Sequence, residues 1–524
     1  MANSSETKKR FDYLELENPM DFYRLSWWQR FAYKFVHFFK GFPKAFLGFF
    51  KKVGLGIASL FIVVFNFFKN AVLGFIDGNV VTKLSFLIMG LGHLTNGYIL
   101  AGGAYLLVEI FFIVYMIVFG GQQLWLMLCN FFTGGTVGIT ETSNSDVWND
   151  ELGEYETILG DNSFKILLYG VLTLCIVVFM ILLYFKSINE SIQLSQRSII
   201  MNPTMTVRKE LSAYLDKKFH TTMLSLPLMG LFAFTVVPLI TMILVAFTNY
   251  DASTEVPAHL FSWVGWENFG SILGGESGLS QTFFRVLGWT LIWAFLATFS
   301  NYFLGMILAL LINKKGVRFK KLFRTIFVTT IAVPQFVSLL LISKMMDPDG
   351  GFITEVINTL FNVNFKFGQN ITHTRIAIVV VNMWIGVPYS MLISSGILMN
   401  IPSDLYESAK IDGSSAVRTF FKITLPYMLF VTGPYLITQF IGNINNFNVI
   451  YLLSGGGPGD NLLYTNGAQG TDLLITWLYK LSLGQAKDYK LASVIGILVF
   501  VISAVFSLLV YNKSSAVQKE DDFQ

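Results

Sequence analysis

Apolar residues fall along this chain in long blocks separated by short polar ones, not in the alternation of a half-buried strand. A helix needs about 20 mostly apolar residues to cross a bilayer. Eight stretches qualify, near 98–119, 166–185, 224–248, 283–312, 325–346, 374–399, 427–450 and 489–511. The pattern predicts an all-α integral membrane protein of about eight transmembrane helices. The apolar stretch 54–68 is shorter and stops at Lys69, so it reads as an interfacial or half-buried segment. Ahead of it, Trp27, Trp28, Phe31, Phe35, Phe38, Phe39, Phe42 and Phe46 interleave with Arg30, Lys34, Lys40, Lys44, Lys51 and Lys52. That is the pattern of a basic amphipathic helix lying on membrane lipid, broken near Pro43. It serves either as an anchor or as a regulatory docking site. With eight spans beside it, no nucleic acid is expected as a partner.

Composition agrees. The chain has 524 residues, 53% hydrophobic and 13% charged, with 51 Phe. Its mean hydropathy is +0.58. A soluble fold of this size has no room to hide so much apolar surface, and a disordered chain lacks it. Cys129 and Cys175 both lie in apolar stretches, which supports neither a disulfide framework nor a cysteine metal site. His37, His93, His220, His259 and His373 are scattered, without zinc or catalytic spacing. No cofactor or metal is expected on this chain.

Charge orients the spans, because cytoplasmic loops favour Lys and Arg. Residues 313–324 carry Lys314, Lys315, Arg318, Lys320, Lys321 and Arg324 with no acid, and 186–220 carry six basic residues. Residues 120–165 hold only Lys165 against seven acids, and 249–281 hold four acids without Lys or Arg. The alternation predicts cytoplasmic termini and a cytoplasmic loop at 400–425. No cleavable signal peptide is expected, since the first 25 residues are polar. The expected division is an interfacial N-terminal region 1–90, a first pair of spans with an acidic outer loop at 91–220, the main transmembrane domain 221–512, and a tail 513–524.

The segment 401–426, I-P-S-D-L-Y-E-S-A-K-I-D-G-S-S-A-V-R-T-F-F-K-I-T-L-P, predicts a helix, a turn at Asp412-Gly413 and a second helix. Pro402 suits a first helical turn, with Ser403 or Asp404 as its cap. Leu405, Tyr406 and Ala409 share one face. By amphipathicity alone it is either a connector packed beneath the spans or a helix pair docked in another protein's groove.

This segment resembles the coupling loop of ABC importer permeases, E-A-A, three residues, G, nine residues, I, one residue, L-P. Glu407, Ala409, Gly413, Ile423, Leu425 and Pro426 match, and Ser408 stands in place of the second-position Ala. The resemblance implies a type I importer permease fold. It implies that Glu407, Ser408, Ala409, Asp412 and Gly413 meet an ATPase subunit, with Gly413 making the turn. ATP and Mg would be bound by that partner. This chain contains no Gly-Lys dipeptide and so no phosphate loop.

Residues 447–458, F-N-V-I-Y-L-L-S-G-G-G-P, with D-L-L-I-T-W-L-Y-K at 472–480 and W-I-G-V-P-Y at 384–389, are similar to MalF-like maltose/maltodextrin permease subunits. That resemblance covers roughly 280–511. It implies sugar contacts at Ile385, Gly386 and Tyr389 before the coupling loop, and at Gly442, Asn443 and Asn446 after it. The residue types fit: amides and a phenol pair with hydroxyls, and an aromatic ring stacks on a sugar face. The alternative role for the Asn443–Asn448 cluster is hydrogen bonding between helices. At Gly442 the family's maltose example has an aromatic residue, so a stacking surface is missing. The outer loop 249–281 is too short for the large domain of the enterobacterial subunit. The implied partners are a second permease, two ATPases and an extracellular sugar-binding protein, lipid-anchored beside the transporter.

The competing reading is an ion-coupled secondary sugar transporter, for which the intramembrane Glu109 is the best support. Structural hydrogen bonding is the other role open to Glu109. Pro238, Pro334, Pro388 and Pro434 lie within spans and predict kinks, for gating or for packing.

Overall fold

The computed structural model describes residues 71–513, except 142–146, 150–153, 157–159, 201–205, 217–218, 256–258, 276, 315 and 485, with isolated positions before 71. The basic aromatic segment 27–52, most of 54–68 and the tail from 514 therefore lie outside the described residues.

Helical residues 71–77 are followed by two short helices, α1 (Val80–Leu84) and α2 (Leu91–Thr95). They sit against the N-terminal end of α3 (Ile99–Leu128) and the C-terminal part of α4 (Ser163–Ile200). Carboxylates fasten this corner. Glu210, on α5 (Val207–Leu215), is 2% exposed and accepts from the backbone N–H groups of Leu100 and Ala101 at 2.9 and 2.7 Å. It thereby satisfies free donors at the positive N-terminus of α3. Glu190 accepts from Tyr105 at 3.1 Å and lies 3.0 Å from His93 Nε2. Glu109 accepts from the Met89 N–H at 2.9 Å. Its partner is a backbone amide some 20 positions away, which apolar periodicity does not reveal.

Next come α6 (Phe219–Val245), α7 (Glu267–Leu273) and the long α8 (Gly278–Asn313), capped by Ser277, which accepts from Ser280 N–H at 3.1 Å. A small antiparallel hairpin in the acidic outer loop, Val147–Asn149 with Glu154–Glu156, is the one strand pair among the described residues.

The expected span 325–346 differs. It is two helices, α9 (Lys320–Ala332) and α10 (Gln335–Met345), bent 88° at Val333-Pro334. Pro334 has no N–H to donate, and the residue before a proline is pushed to extended backbone, as Val333 is (φ −76°, ψ 126°). Among the described residues, seven helices are long and apolar enough to cross a membrane, or eight if this bent pair counts as one. Pro388 and Pro434 stay inside continuous helices.

After α11 (Phe352–Phe361), α12 (Ile371–Leu398) starts at Asn370, whose side chain accepts from His373 N–H at 3.1 Å. It packs along α8, and small residues let the two approach. A side chain at Gly386 would overlap the Asn301 amide. The short α13 (Ser403–Ile411) leads to α14 (Leu425–Ile444). The lead-in, Ala416–Thr419 and a wide π-helical turn Phe420–Thr424, is continuous with α14, so the second helix of the loop and the next span are one element. Asn446 then caps α15 (Phe447–Ser454), followed by α16 (Leu474–Leu483) and α17 (Tyr489–Lys513).

The core of the second half gathers Trp477, Phe283, Phe440 and Leu474 where α8, α14, α16 and α17 meet. A neighbouring cluster holds Trp289, Trp293, Leu339 and Ile450. The outer loop between α15 and α16 is pinned by the fully buried Asp472 carboxylate, 2.7 Å from the Lys480 ammonium. Arg375 donates to Gly470 C=O at 2.9 Å and lies over the Trp289 ring.

Candidate functional site

Two places in the fold carry chemistry that packing alone does not require. One is the exposed helix α13, and the other is a polar seam between α8, α12 and α14.

Helix α13 is short and ends in a defined way. Its cap is Pro402, which makes no side-chain capping bond, so Ser403 is the first helical residue and neither it nor Asp404 caps. At the other end Gly413 adopts φ +66°. Its N–H donates to Lys410 C=O at 3.0 Å, and Ser414 N–H donates to Ala409 C=O at 2.9 Å. This paired closure is a Schellman motif, and it requires left-handed backbone where Gly413 stands. Ala409 faces inward, and Tyr406 bonds the buried Thr424 hydroxyl at 3.1 Å, tying α13 to the start of α14. Leu405 lies outside the expected inner face and is half exposed. Glu407, Ser408, Asp412 and Gly413 are all exposed. Ile411 is 87% exposed and Val417 66%. Large apolar side chains this far out on a polar surface mark a contact face.

The polar seam joins the two groups of candidate residues through a helix that sequence reasoning did not single out. Gly386 and Tyr389 on α12 line a small polar cavity of about 60 Å³ with Thr298, Asn301, Ser390, Tyr435 and Gln439. Asn443 on α14 donates to Thr298 Oγ1 at 3.0 Å, and Asn446 donates to Asn443 Oδ1 at 3.2 Å. Thr298 and Asn301 of α8 thus bridge residues from both sides of the coupling loop. The buried Asn301 Oδ1 has no hydrogen-bond partner among the described residues, an acceptor left to serve something else. Ile385 packs with the cluster around Trp289 and Trp293, so it supports the seam from the apolar side. Gly442 is exposed, and a side chain there would meet nothing within 4 Å. Space is therefore open where an aromatic ring is missing. The signal that could have found α8 is its run of intramembrane polar residues, Thr298, Ser300 and Asn301.

A larger groove of about 860 Å³ lies between α10, α11 and α12, walled chiefly by apolar side chains such as Leu341, Ile357, Val380 and Trp384. It offers few groups that pair with a polar solute.

The arrangement, a bundle of membrane helices with a polar seam and a short exposed helix between two spans, is that of a permease. Residues 301–516 match the family described as "Binding-protein-dependent transport system inner membrane component". The galactooligosaccharides transport system permease protein GanP of Bacillus subtilis is 34% identical over 362 residues, covering 69% of this chain and 85% of that protein. The maltodextrin transport system permease protein MdxF of the same organism is 32% identical over 443 residues, covering 83% and 95%. The maltose/maltodextrin transport system permease protein MalF of Escherichia coli is 34% identical over 259 residues, covering 49% of this chain and 50% of that protein. A bacterial ABC transporter that imports the acidic polysaccharide alginate overlays with a TM-score of 0.44 at 20% identity, over 59% of this chain and 98% of that one. The chain belongs to the binding-protein-dependent permease family and is a multi-pass membrane component of such a system.

Proposed function

We propose that this chain forms half of the translocation path of an ATP-driven importer for neutral oligosaccharides of the maltodextrin or galactooligosaccharide kind. The observation that carries the reading is α13, an exposed helix closed by Gly413 and tied by Tyr406 to the head of α14. Force applied to α13 passes through the continuous segment 416–444 to Asn443, and from there to Thr298 on α8. Closure of two ATPase subunits, which bind ATP and Mg, would move the seam by this route.

Neutral amides and hydroxyls line the seam, which suits sugar hydroxyls and disfavours charged solutes. Its 60 Å³ is far below the roughly 300 Å³ of a small-molecule pocket. A second permease supplies the facing wall. An extracellular binding protein, anchored to lipid, delivers the sugar to the short outer loops. Both termini face the cytoplasm, following the charge of the loops.

Glu109 accepts a backbone hydrogen bond and needs no role in ion coupling. The test is uptake in the native host, with proton and sodium ionophores present and ATP maintained. Continued uptake of an oligosaccharide, lost on deletion of this chain, is expected. Collapse with the ion gradients contradicts the reading.

A further inference from the structure

The seam continues outward from Asn446 into a feature that the candidate contacts leave unexplained. Helix α15 rises about 12 Å over its eight residues. Val449, Ile450 and Leu453 are buried on one face. On the other, Phe447 and Tyr451 stack with centroids 4.7 Å apart at 20°. Tyr479 of α16 meets both rings edge-on, at 4.8 and 5.1 Å. Tyr451 is 37% exposed, and Asn448, three positions before it, is exposed with its amide unpaired among the described residues. Asn445 and Gly442 extend the same exposed stripe back toward the seam.

The amides decide what this stripe faces. The Asn445 amide donates to Ile441 C=O at 3.2 Å, but that of Asn448 is unpaired among the described residues, and an unpaired carboxamide is costly in hydrocarbon, so the surface carrying Asn448 faces water or a polar solute rather than acyl chains. A ring cluster beside a free amide is the chemistry that recognises a pyranose: the apolar face of the sugar lies on the ring, and its equatorial hydroxyls reach the amide and the phenols. We propose that Tyr451, with Phe447, Tyr479 and Asn448, forms an outer subsite that holds further pyranose rings of a chain whose leading units occupy the seam. This inference rests on the oligosaccharide reading above. It also places a stacking surface one helix beyond the open space at Gly442.

The subsite acts on the loaded transporter, not on capture by the binding protein. Its readout is therefore the maximal uptake rate at saturating sugar. The experiment compares α-1,4-linked glucose oligomers and β-linked galactose oligomers of graded length, in cells carrying the chain with its own partner subunits. In Tyr451→Leu, the rate for the longest transported oligomer is expected to fall roughly fivefold, as the loss of one aromatic contact implies. The shortest transported oligomer keeps its rate, and Tyr451→Phe, which retains the ring, behaves as wild type. An equal loss at every length assigns Tyr451 to packing and overturns the subsite. No loss at any length overturns it too, with import intact. Wild-type cells that take up neither series overturn the oligosaccharide reading itself.

Discussion

Helix α13 and the polar seam are built by opposite means. Most of what shapes α13 lies within a few residues of it: the helical stretch 403–411, the left-handed turn at Gly413, and two bonds that close it onto Lys410 and Ala409, with the Tyr406–Thr424 bond tying it to the next span. The seam is assembled from afar. Asn443 and Thr298 are 145 positions apart, and Gly386 meets Asn301 across 85 residues of chain. A partner protein must recognise the same local shape wherever it docks, so local coding suits α13. A cavity that opens and shuts needs walls on different helices, so long-range assembly suits the seam. The contrast teaches where single substitutions will act alone and where they will spread.

The largest effect belongs to the exposed face of α13. Ile411 is 87% exposed, so Ile411→Asp should leave thermal unfolding of the detergent-purified chain within about 0.5 kcal/mol of wild type. Uptake should fall at least tenfold, because an unpaired charge at the centre of a docked face costs about 2 kcal/mol or more. Retained uptake would strip α13 of its contact role.

The seam comes second. Asn443→Leu removes the bond to Thr298 and the acceptor used by Asn446. The maximal uptake rate should drop severalfold, with stability reduced by about 1 kcal/mol. A stability loss with the rate unchanged would make the asparagines interhelical ties and nothing more.

Third is the turn. Gly413→Ala places a Cβ in left-handed backbone, at a cost of about 1 kcal/mol. Gly413→Asn, which tolerates that region better, should recover most of the coupling. Equal uptake by both variants and wild type would show that the closure of α13 is not needed.

The smallest effect lies at the outer face, far from both regions. Burial, the largest single influence, opposes ionisation of Asp251, but Lys490 at 2.6 Å and the two hydrogen bonds from Ser253 together outweigh it and hold the carboxyl below its ordinary 3.8. The bond from Lys487 at 2.5 Å holds Glu255 below 4.5. Carboxylates held low stabilise the fold above their ordinary values, and that stabilisation is lost as pH falls through the lowered ones. Thermal unfolding should therefore be flat near neutrality and soften only below about pH 4, with Asp251→Asn reducing the softening. Softening between pH 6 and 8 would assign the pH response to another group.

What was legible follows the same division. The spans stand out because a bilayer demands long apolar runs, and the coupling loop because its signals sit at fixed short spacing. Capping at Ser403 or Asp404 was expected and did not form, since Pro402 already sets the entry of α13. The break at Pro334 was visible as a kink but not as an 88° turn, because its size depends on what α9 and α10 pack against. Thr298 and Asn301 went unnoticed. The polar run 298–301 marks α8 as unusual for a span, but the partners of these residues are set only when α8 packs against α12 and α14.

Co-purification tests the central claim most directly. The chain, tagged at its C-terminus, is extracted from its native host in mild detergent, as wild type and as Glu407→Lys. The account predicts that wild type brings down a second permease and an ATPase, and that Glu407→Lys keeps the permease and loses the ATPase. Equal recovery of the ATPase with both forms, or recovery of wild type alone under several gentle detergents, would contradict it.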